Sequence, residues 1–493
     1  MKVSQSIPNQ DRAVVAVAMA LAMGAVIGSH RARVVDVIKA DNTTTLTTGS
    51  SWVGGSAPTA ADVGLFDSTY TQTGALNTGG LLAVGGVRVT NPTSAVIVNN
   101  STAGQEFAIG SSGVDLSSAT QNLSIQRVRV DATQAWNVTS GREFVIGNSA
   151  TPRIGVLSVN TGPYTIAKTG AGTVQLNTSN TNIGSVNWDI QNGLVRAIWN
   201  TSAAWGTGTI TLGGGGIATG TNFSGSVGNW TWNNAISLAS STNSFIDNQN
   251  IAGADRWLKL ESVISGDGSL EFRDTGVGFT NLDAGFILAG TNTNTGTVTI
   301  TSGAEVRVGG ANPGTFDDIA GNNGKLAGDT ASIVNNGSLT FSRLDAHTVA
   351  NAISGSGNLR VGMVNTLGGS STSTQTVRLT GNNTYAGTTT VNNGTLQVGT
   401  GGTTGSLGGG NVINNGSLTF NRSNSLTVAN TISGTGSLTH ASTGTTILGG
   451  TNTYTGATII RGNNGTSGEV QVSSIKNGVW PAISASRPAT PPT

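Results

Sequence analysis

NNGSLTF occupies Asn335–Phe341 and returns at Asn414–Phe420, 79 residues later. TVAN (Thr348–Asn351) returns at Thr427–Asn430, and ISGSGNL (Ile353–Leu359) returns as ISGTGSL (Ile432–Leu438), both at the same offset. A further relative, ISGDGSL, lies at Ile264–Leu270. Several unlike motifs recurring in one register mark an internal repeat, which has to be read before any site is proposed. Within each block apolar residues alternate with Ser or Thr over a few positions and then give way to Gly and Asn, the texture of strands and turns rather than of helices. Asn336-Gly337, Asn393-Gly394 and Asn415-Gly416 are expected to supply the positive-φ residues of sharp turns. Each ISG block is followed by an NTxTG-like element, NTNTG from Asn292, NTYAG from Asn383 and NTYTG from Asn452, at uneven spacing. Insertions between strands suit a stacked solenoid and would disrupt a closed core or a propeller of fixed blade length. A fainter copy begins at KTGAGTVQL, Lys168–Leu176.

Composition agrees. The chain has 493 residues, of which 73 are glycine, 24 Lys or Arg and 23 Asp or Glu, with three histidines and no cysteine. Glycine at roughly 15% against an ordinary ~7%, and charge far below the ordinary ~25%, argue against helical and α/β domains. The missing cysteines remove disulfides, thiolate metal sites and cysteine nucleophiles, and three histidines leave little for zinc. A net charge of +1 gives no basic surface on which to track nucleic-acid phosphates. The expected fold is all-β, a parallel β-helix whose narrow core is filled by stacking Val, Ile, Leu and Phe on their equivalents, with Thr, Ser and Asn facing out and Gly at the corners. Coils of about 20 to 25 residues stacked at about 4.8 Å would give roughly 17 to 21 coils and a rod of about 80 to 100 Å.

Four segments are expected. Residues 1–40 read as a signal peptide or N-terminal anchor: Lys2 and Arg12 precede the apolar run Ala13–Gly28, which has the length of a signal-peptide core rather than of a bilayer-spanning helix. His30, Arg31, Arg33 and Lys39 follow it and favour retention as an anchor if cleavage fails. Residues 41–165 form a β-rich cap with the first coils, and 166–470 the β-helical repeats. Residues 471–493 form a disordered tail in which Pro481, Pro488, Pro491 and Pro492 oppose both strand and helix.

The search for chemistry returns few groups. Glycosidic hydrolysis needs two carboxylates across the bond; the pairs available are Asp317 with Asp318, Asp274 with Asp283, and Asp267 with Glu261 and Glu271. Asp267 falls where other copies have Ser356 and Thr435, so it reads as a turn residue. His347 and His440 have no partner nearby in sequence. Asp317-Asp318 and Asp247-Asn248 could offer oxygens to calcium, yet no calcium-loop array surrounds them. Gly213–Gly216 and Gly408–Gly410 lack the lysine of a phosphate loop and read as turns or bulges. Trp188, Trp199, Trp205, Trp230, Trp232 and Trp257 read as inward or edge-capping residues, the alternative being a carbohydrate-stacking platform. No catalytic, cofactor-binding or metal-binding residue is assigned, and no cofactor is expected.

The repeats resemble the autotransporter-associated β-strand repeat family of Gram-negative passenger regions. VRLTGNNTYAGTTTVNNGTLQVGT (Val377–Thr400), TTILGGTNTYTGATII (Thr445–Ile460) and FILAGTNTNTGTVTITSGAEVRVG (Phe286–Gly309) carry the likeness. SWVGGSAPTAADVGLFD (Ser51–Asp67) resembles the opening found ahead of such repeats, and TQAWNVTSGREFVIG (Thr133–Gly147) their Gln-x-Trp-Asn strand. The resemblance implies a right-handed β-helical stalk, secreted or at the cell surface and outer-membrane associated, with the secretion machinery as partner. It implies no catalytic residues. Such proteins also carry a carboxy-terminal outer-membrane barrel, for which the residues after Ile460 are too few. The expected function is therefore a noncatalytic exported stalk or passenger-like surface protein, with adhesion to a cell-surface glycan or protein as its role. The alternatives are a carbohydrate-active β-helical enzyme, a polysaccharide lyase or glycosidase, and a truncated, nonfunctional passenger remnant.

Overall fold

The computed structural model describes residues 34–147, 155–177, 185–198, 205–220, 230–249, 257–276, 285–309, 324–343, 345–362, 375–461 and 468–472, with the backbone alone of 483–485. The apolar run Ala13–Gly28, Asp283, Asp317, Asp318, Trp199 and the four prolines of the tail lie outside the described residues. Strands are short and pair in parallel with the strand one turn away. The expected all-β solenoid is present, with about 15 turns, a rod of about 70 Å at ~4.8 Å per turn. The turn count falls below the expected range because many turns take nearer 30 residues than 20: Trp230–Trp232 pairs with Trp257–Leu260, and Ala346–Val349 with Thr376–Leu379. Among the described residues the helical structure is a single 3-10 turn, Gly49–Ser51, and no helix is long and apolar enough to cross a membrane.

Three walls enclose the core. The first starts as the sheet from Asp36–Ile38 to Ile264–Gly266, the second as the sheet from Val96–Val98 to Ile353–Ser354, and the third runs from Trp230–Trp232 to Ile432–Ser433. A seven-stranded sheet beginning at Ala346–Val349 then takes the first-wall position, because that strand follows third-wall Ser338–Phe341 and precedes second-wall Ile353–Ser354. Likewise Leu426–Val428, Thr445–Leu448 and Glu469–Val472 take the second.

Alternation explains which side chains enter the core. Along the third wall Leu258, Phe286, Val306, Leu339 and Leu359 stack in register and are fully buried. Each contributes about 1.5–3 kcal/mol of burial. Lower down, Trp136, Trp188, Trp205 and Trp232 form an edge-to-face column with ring centroids 5.7, 6.1 and 5.0 Å apart. This geometry brings the positive ring edge to the negative face.

The repeat does not return to the same wall. Ile264 of ISGDGSL stands on the first wall, Ile353 of ISGSGNL on the second and Ile432 of ISGTGSL on the third. Equivalent residues of successive copies thus advance one wall around the rod, so a surface feature tied to the repeat spirals instead of forming a column.

The Asn-Gly expectation is corrected at two of three places. Gly394 has φ +72°, but Gly337 and Gly416 are not positive-φ residues. They are needed for close approach: a Cβ would lie 2.2 Å from Ala304 O at Gly337 and 2.6 Å from Gly394 O at Gly416. The left-handed turn residues of the repeat are Gly266, Gly355 and Gly434, with φ of +97, +97 and +104°, one in each ISG block.

Candidate functional site

The residues that define the repeat are bound into its corners. The asparagine opening each NTxTG element turns its Oδ1 inward to accept the backbone N–H of the ISG isoleucine one turn away: Asn292 from Ile264 at 2.8 Å, Asn383 from Ile353 at 2.9 Å, Asn452 from Ile432 at 2.9 Å. The TVAN asparagines use Nδ2 instead. Asn351 donates to Gly328 O and Ala331 O, both at 2.8 Å, and Asn430 to Gly408 O and Gly410 O at 2.7 and 2.5 Å. Two arginines pin the bases of neighbouring loops: Arg422 donates to Gly405 O and Thr403 O, and Arg343, at the equivalent place, donates to Gly324 O. Buried backbone groups at corners have no strand partner, so these side chains satisfy them. The motifs were legible in the sequence; their partners, a turn away, were not.

The carboxylates expected as a pair are separated. Glu261 follows third-wall Trp257–Leu260 and pairs with Lys259 at 2.8 Å. Asp267 sits at an exposed corner accepting from Ser240 at 2.6 Å. Glu271 lies on the second wall, held by Arg273 at 2.5 Å and Asn243 at 3.0 Å. Asp274 lies close to Asp247, and Asp283, its expected partner, lies outside the described residues. Burial pushes the Asp274 carboxyl up to about 6, against the N–H of Gly276 and helped by the charge of Asp247. Asp247 is 4% exposed and receives the Thr275 N–H, the Thr275 hydroxyl and the Gln249 amide. A carboxyl that holds its proton more tightly beside a second acidic side chain resembles the arrangement of an acid and a base, but the donors around Asp247 turn it into a loop fastener.

Neither histidine meets an acid and a nucleophile in the manner of a triad. His440 stands in an inward column with Leu379, Val398 and Phe420. Its Nε2 donates to Ser442 O and its Nδ1 accepts the Thr446 hydroxyl, both at 2.9 Å. The carbonyl can only accept, so the proton is on Nε2. The His347 ring packs 5.9 Å from that of Phe341, and burial, with the Arg343 charge, pushes it down to about 4.

Asn248 of the Asp247-Asn248 calcium candidate accepts the Thr219 hydroxyl at 2.9 Å, and among the described residues no three His, Asp or Glu come together around a metal-sized space. Each glycine stretch has a close-packed member: a Cβ at Gly216 would lie 2.3 Å from the Phe245 ring, and one at Gly408 2.5 Å from that of Tyr385, whereas Gly409 faces open space. Trp188, Trp205, Trp230, Trp232 and Trp257 are each at most 1% exposed, so none is an open stacking platform.

One wall cluster went unnoticed in the sequence. Glu305 and Arg307 alternate outward on the third-wall strand Glu305–Val308, joined at 2.8 Å and only 4% and 8% exposed. The Thr340 hydroxyl donates to Glu305 Oε1 at 3.3 Å, Arg360 approaches Oε2 at 3.8 Å, and the Arg307 guanidinium lies 3.7 Å from the centre of the Trp257 ring. The signal was the period-two Glu-x-Arg in GAEVRVGG. The cluster holds one carboxylate between two guanidiniums, without the second carboxylate that glycoside hydrolysis requires.

Stacked parallel turns with asparagine-fastened corners define a parallel β-solenoid. Three segments, 166–195, 372–398 and 438–466, match the passenger-associated-transport-repeat family. Over 58 residues the chain is 53% identical to the Adhesin BmaC autotransporter of Brucella suis biovar 1 (strain 1330), a stretch that is 12% of this chain and 2% of that protein. No solved structure matches. The expected kinship with autotransporter passenger repeats is thus shown, including the faint copy at Lys168–Leu176. Phe286–Gly309 falls outside the three matched segments.

Proposed function

We propose that this chain is a noncatalytic, exported β-helical stalk, a passenger-like protein of the cell surface. The carrying observation is the passenger-associated-transport repeat itself, found three times along a rod whose motif residues fasten corners. On this reading residues 1–40 address the chain for export as a signal peptide or anchor, 41–165 cap and begin the rod, 166–470 form its repeat shaft and 471–493 its tail. Transport would engage the secretion machinery and an outer-membrane barrel, the partner that passenger regions use. Adhesion to a surface glycan or protein is the role we assign to the stalk, supported by the likeness to a protein named as an adhesin.

Protease treatment of intact cells tests the location. Digestion of the chain without lysis, while a cytosolic marker survives, is the expected result; full protection until lysis contradicts surface display. Binding of the purified chain to glycan arrays and to host cells tests adhesion separately.

A further inference from the structure

The turn carrying NTNTG differs from its two sisters at one buried place. In the sisters, Tyr385 and Tyr454 share hydrogen bonds with the hydroxyls of Thr389 and Thr458, 2.7 Å in both cases. Backbone bonds put Asn294 in the same seat, since Thr293 N donates to Ile264 O as Thr384 N does to Ile353 O and Thr453 N to Ile432 O. Asn294 therefore replaces the tyrosine and Val298 the threonine. The next turn is changed to match. Gly328 N donates to Asn294 O as Gly409 N does to Tyr385 O, which aligns Ala327 with Gly408. A Cβ at Gly408 would meet both the carbonyl oxygen and the ring of Tyr385; Ala327 carries a Cβ where the ring is absent.

The substitution leaves polar groups stranded. Asn294 is 1% exposed, and neither its Nδ2 nor its Oδ1 has a hydrogen-bond partner. An amide left unbonded in an apolar core is strongly disfavoured. Asn, Val and Ala together fill less space than Tyr, Thr and Gly, by roughly the volume of one water molecule. We propose that the core beside Asn294 is a binding site for one ordered internal water, which accepts from Nδ2 and donates to Oδ1 where the sisters hold a tyrosine. The site is independent of the surface role proposed above. It makes this turn more open to solvent than its two sisters, because an exchanging water needs a path that a packed ring would close.

A crystal structure of the full chain tests the site directly. Density for a water within hydrogen-bond distance of both Asn294 amide atoms is expected; a dry seat, or an amide bonded to protein, overturns the proposal. A second arm rebuilds the sister arrangement with Asn294→Tyr, Val298→Thr and Ala327→Gly together. The triple variant is expected to lose the water and to slow amide hydrogen exchange across residues 293–298 about tenfold, towards the rate at 384–389. Unchanged exchange in a folded triple variant overturns the proposal, and if that variant does not fold, the density in the unmodified chain decides.

Discussion

The side-chain oxygen of Asn383 accepts the backbone N–H of Ile353 at 2.9 Å, 30 residues back in the chain and one turn away. Its Nδ2 donates onward to Ser406 O at 2.7 Å, so one amide ties three consecutive turns. Asn383→Ala would leave the Ile353 N–H buried and unbonded, and is expected to cost about 1–3 kcal/mol. Thermal unfolding followed by circular dichroism measures it. An unchanged midpoint would show that the corner closes without the amide.

The tryptophan column gives a second expectation. Trp188 is buried between Trp136 and Trp205, and its Nε1 donates to Trp205 O at 3.2 Å. Trp188→Ala is expected to destabilise by about 3–5 kcal/mol, through lost burial and the cavity left behind. Trp188→Phe should cost clearly less in the same denaturant titration. Equal losses from the two variants would mean that ring packing is not what holds this level.

Acid should weaken the rod through His347. Its folded-state value of about 4, set by burial and the Arg343 charge, lies below the ordinary 6.5. Between those values the unfolded chain binds the proton better, so stability is complete above about 6.5 and is lost as pH falls towards 4, on the order of 3 kcal/mol. His347→Gln should flatten stability across that window. Asp274 acts in the opposite sense: its value is raised from 3.8 to about 6, so its contribution is present at low pH and fades as pH rises through 6. A pH titration of the unfolding midpoint on the parent, His347→Gln and Asp274→Asn separates the two. Identical slopes in all three would remove both assignments.

At the alkaline end Lys168 takes over. Its ammonium is buried against Thr169 O, Gly170 O and Asn192 O at 2.8, 2.7 and 3.1 Å, and burial pushes its pKa down to about 8. The unfolded chain holds this proton up to about 10.5, so stability should rise as pH climbs from 8 towards 10.5. Burial also pushes Lys39 down to about 8, so Lys168→Met, which keeps the stem and removes the charge, should remove about half of that rise; an undiminished rise in the variant would assign it to other groups.

Breaking the wall cluster from one side should hurt more than removing it. Glu305→Gln leaves the buried Arg307 guanidinium without its counter-charge and is expected to cost about 3–5 kcal/mol. The pair Glu305→Leu with Arg307→Met should recover most of that loss, because both desolvated charges go together. A double-mutant cycle in urea gives the coupling, and additive losses would show that the two charges do not act as a unit.

The sequence by itself determined the class of fold. Alternation within NNGSLTF, its return 79 residues later and the glycine-rich intervals require short strands that stack, since side-chain period and turn chemistry are local properties of the chain. It also placed the tryptophans inward. What it could not determine were relationships between turns. Asn383 meets Ile353, Asp274 lies near Asp247, and Arg360 comes beside Glu305, because stacking register decides which distant residues share a level. Register depends on how many residues each corner consumes, and loops of different length make that number vary along the chain. The same cause moves the ISG block from the first wall at Ile264 to the third at Ile432. The repeat was legible in one dimension; its advance around the rod belongs to the tertiary structure alone.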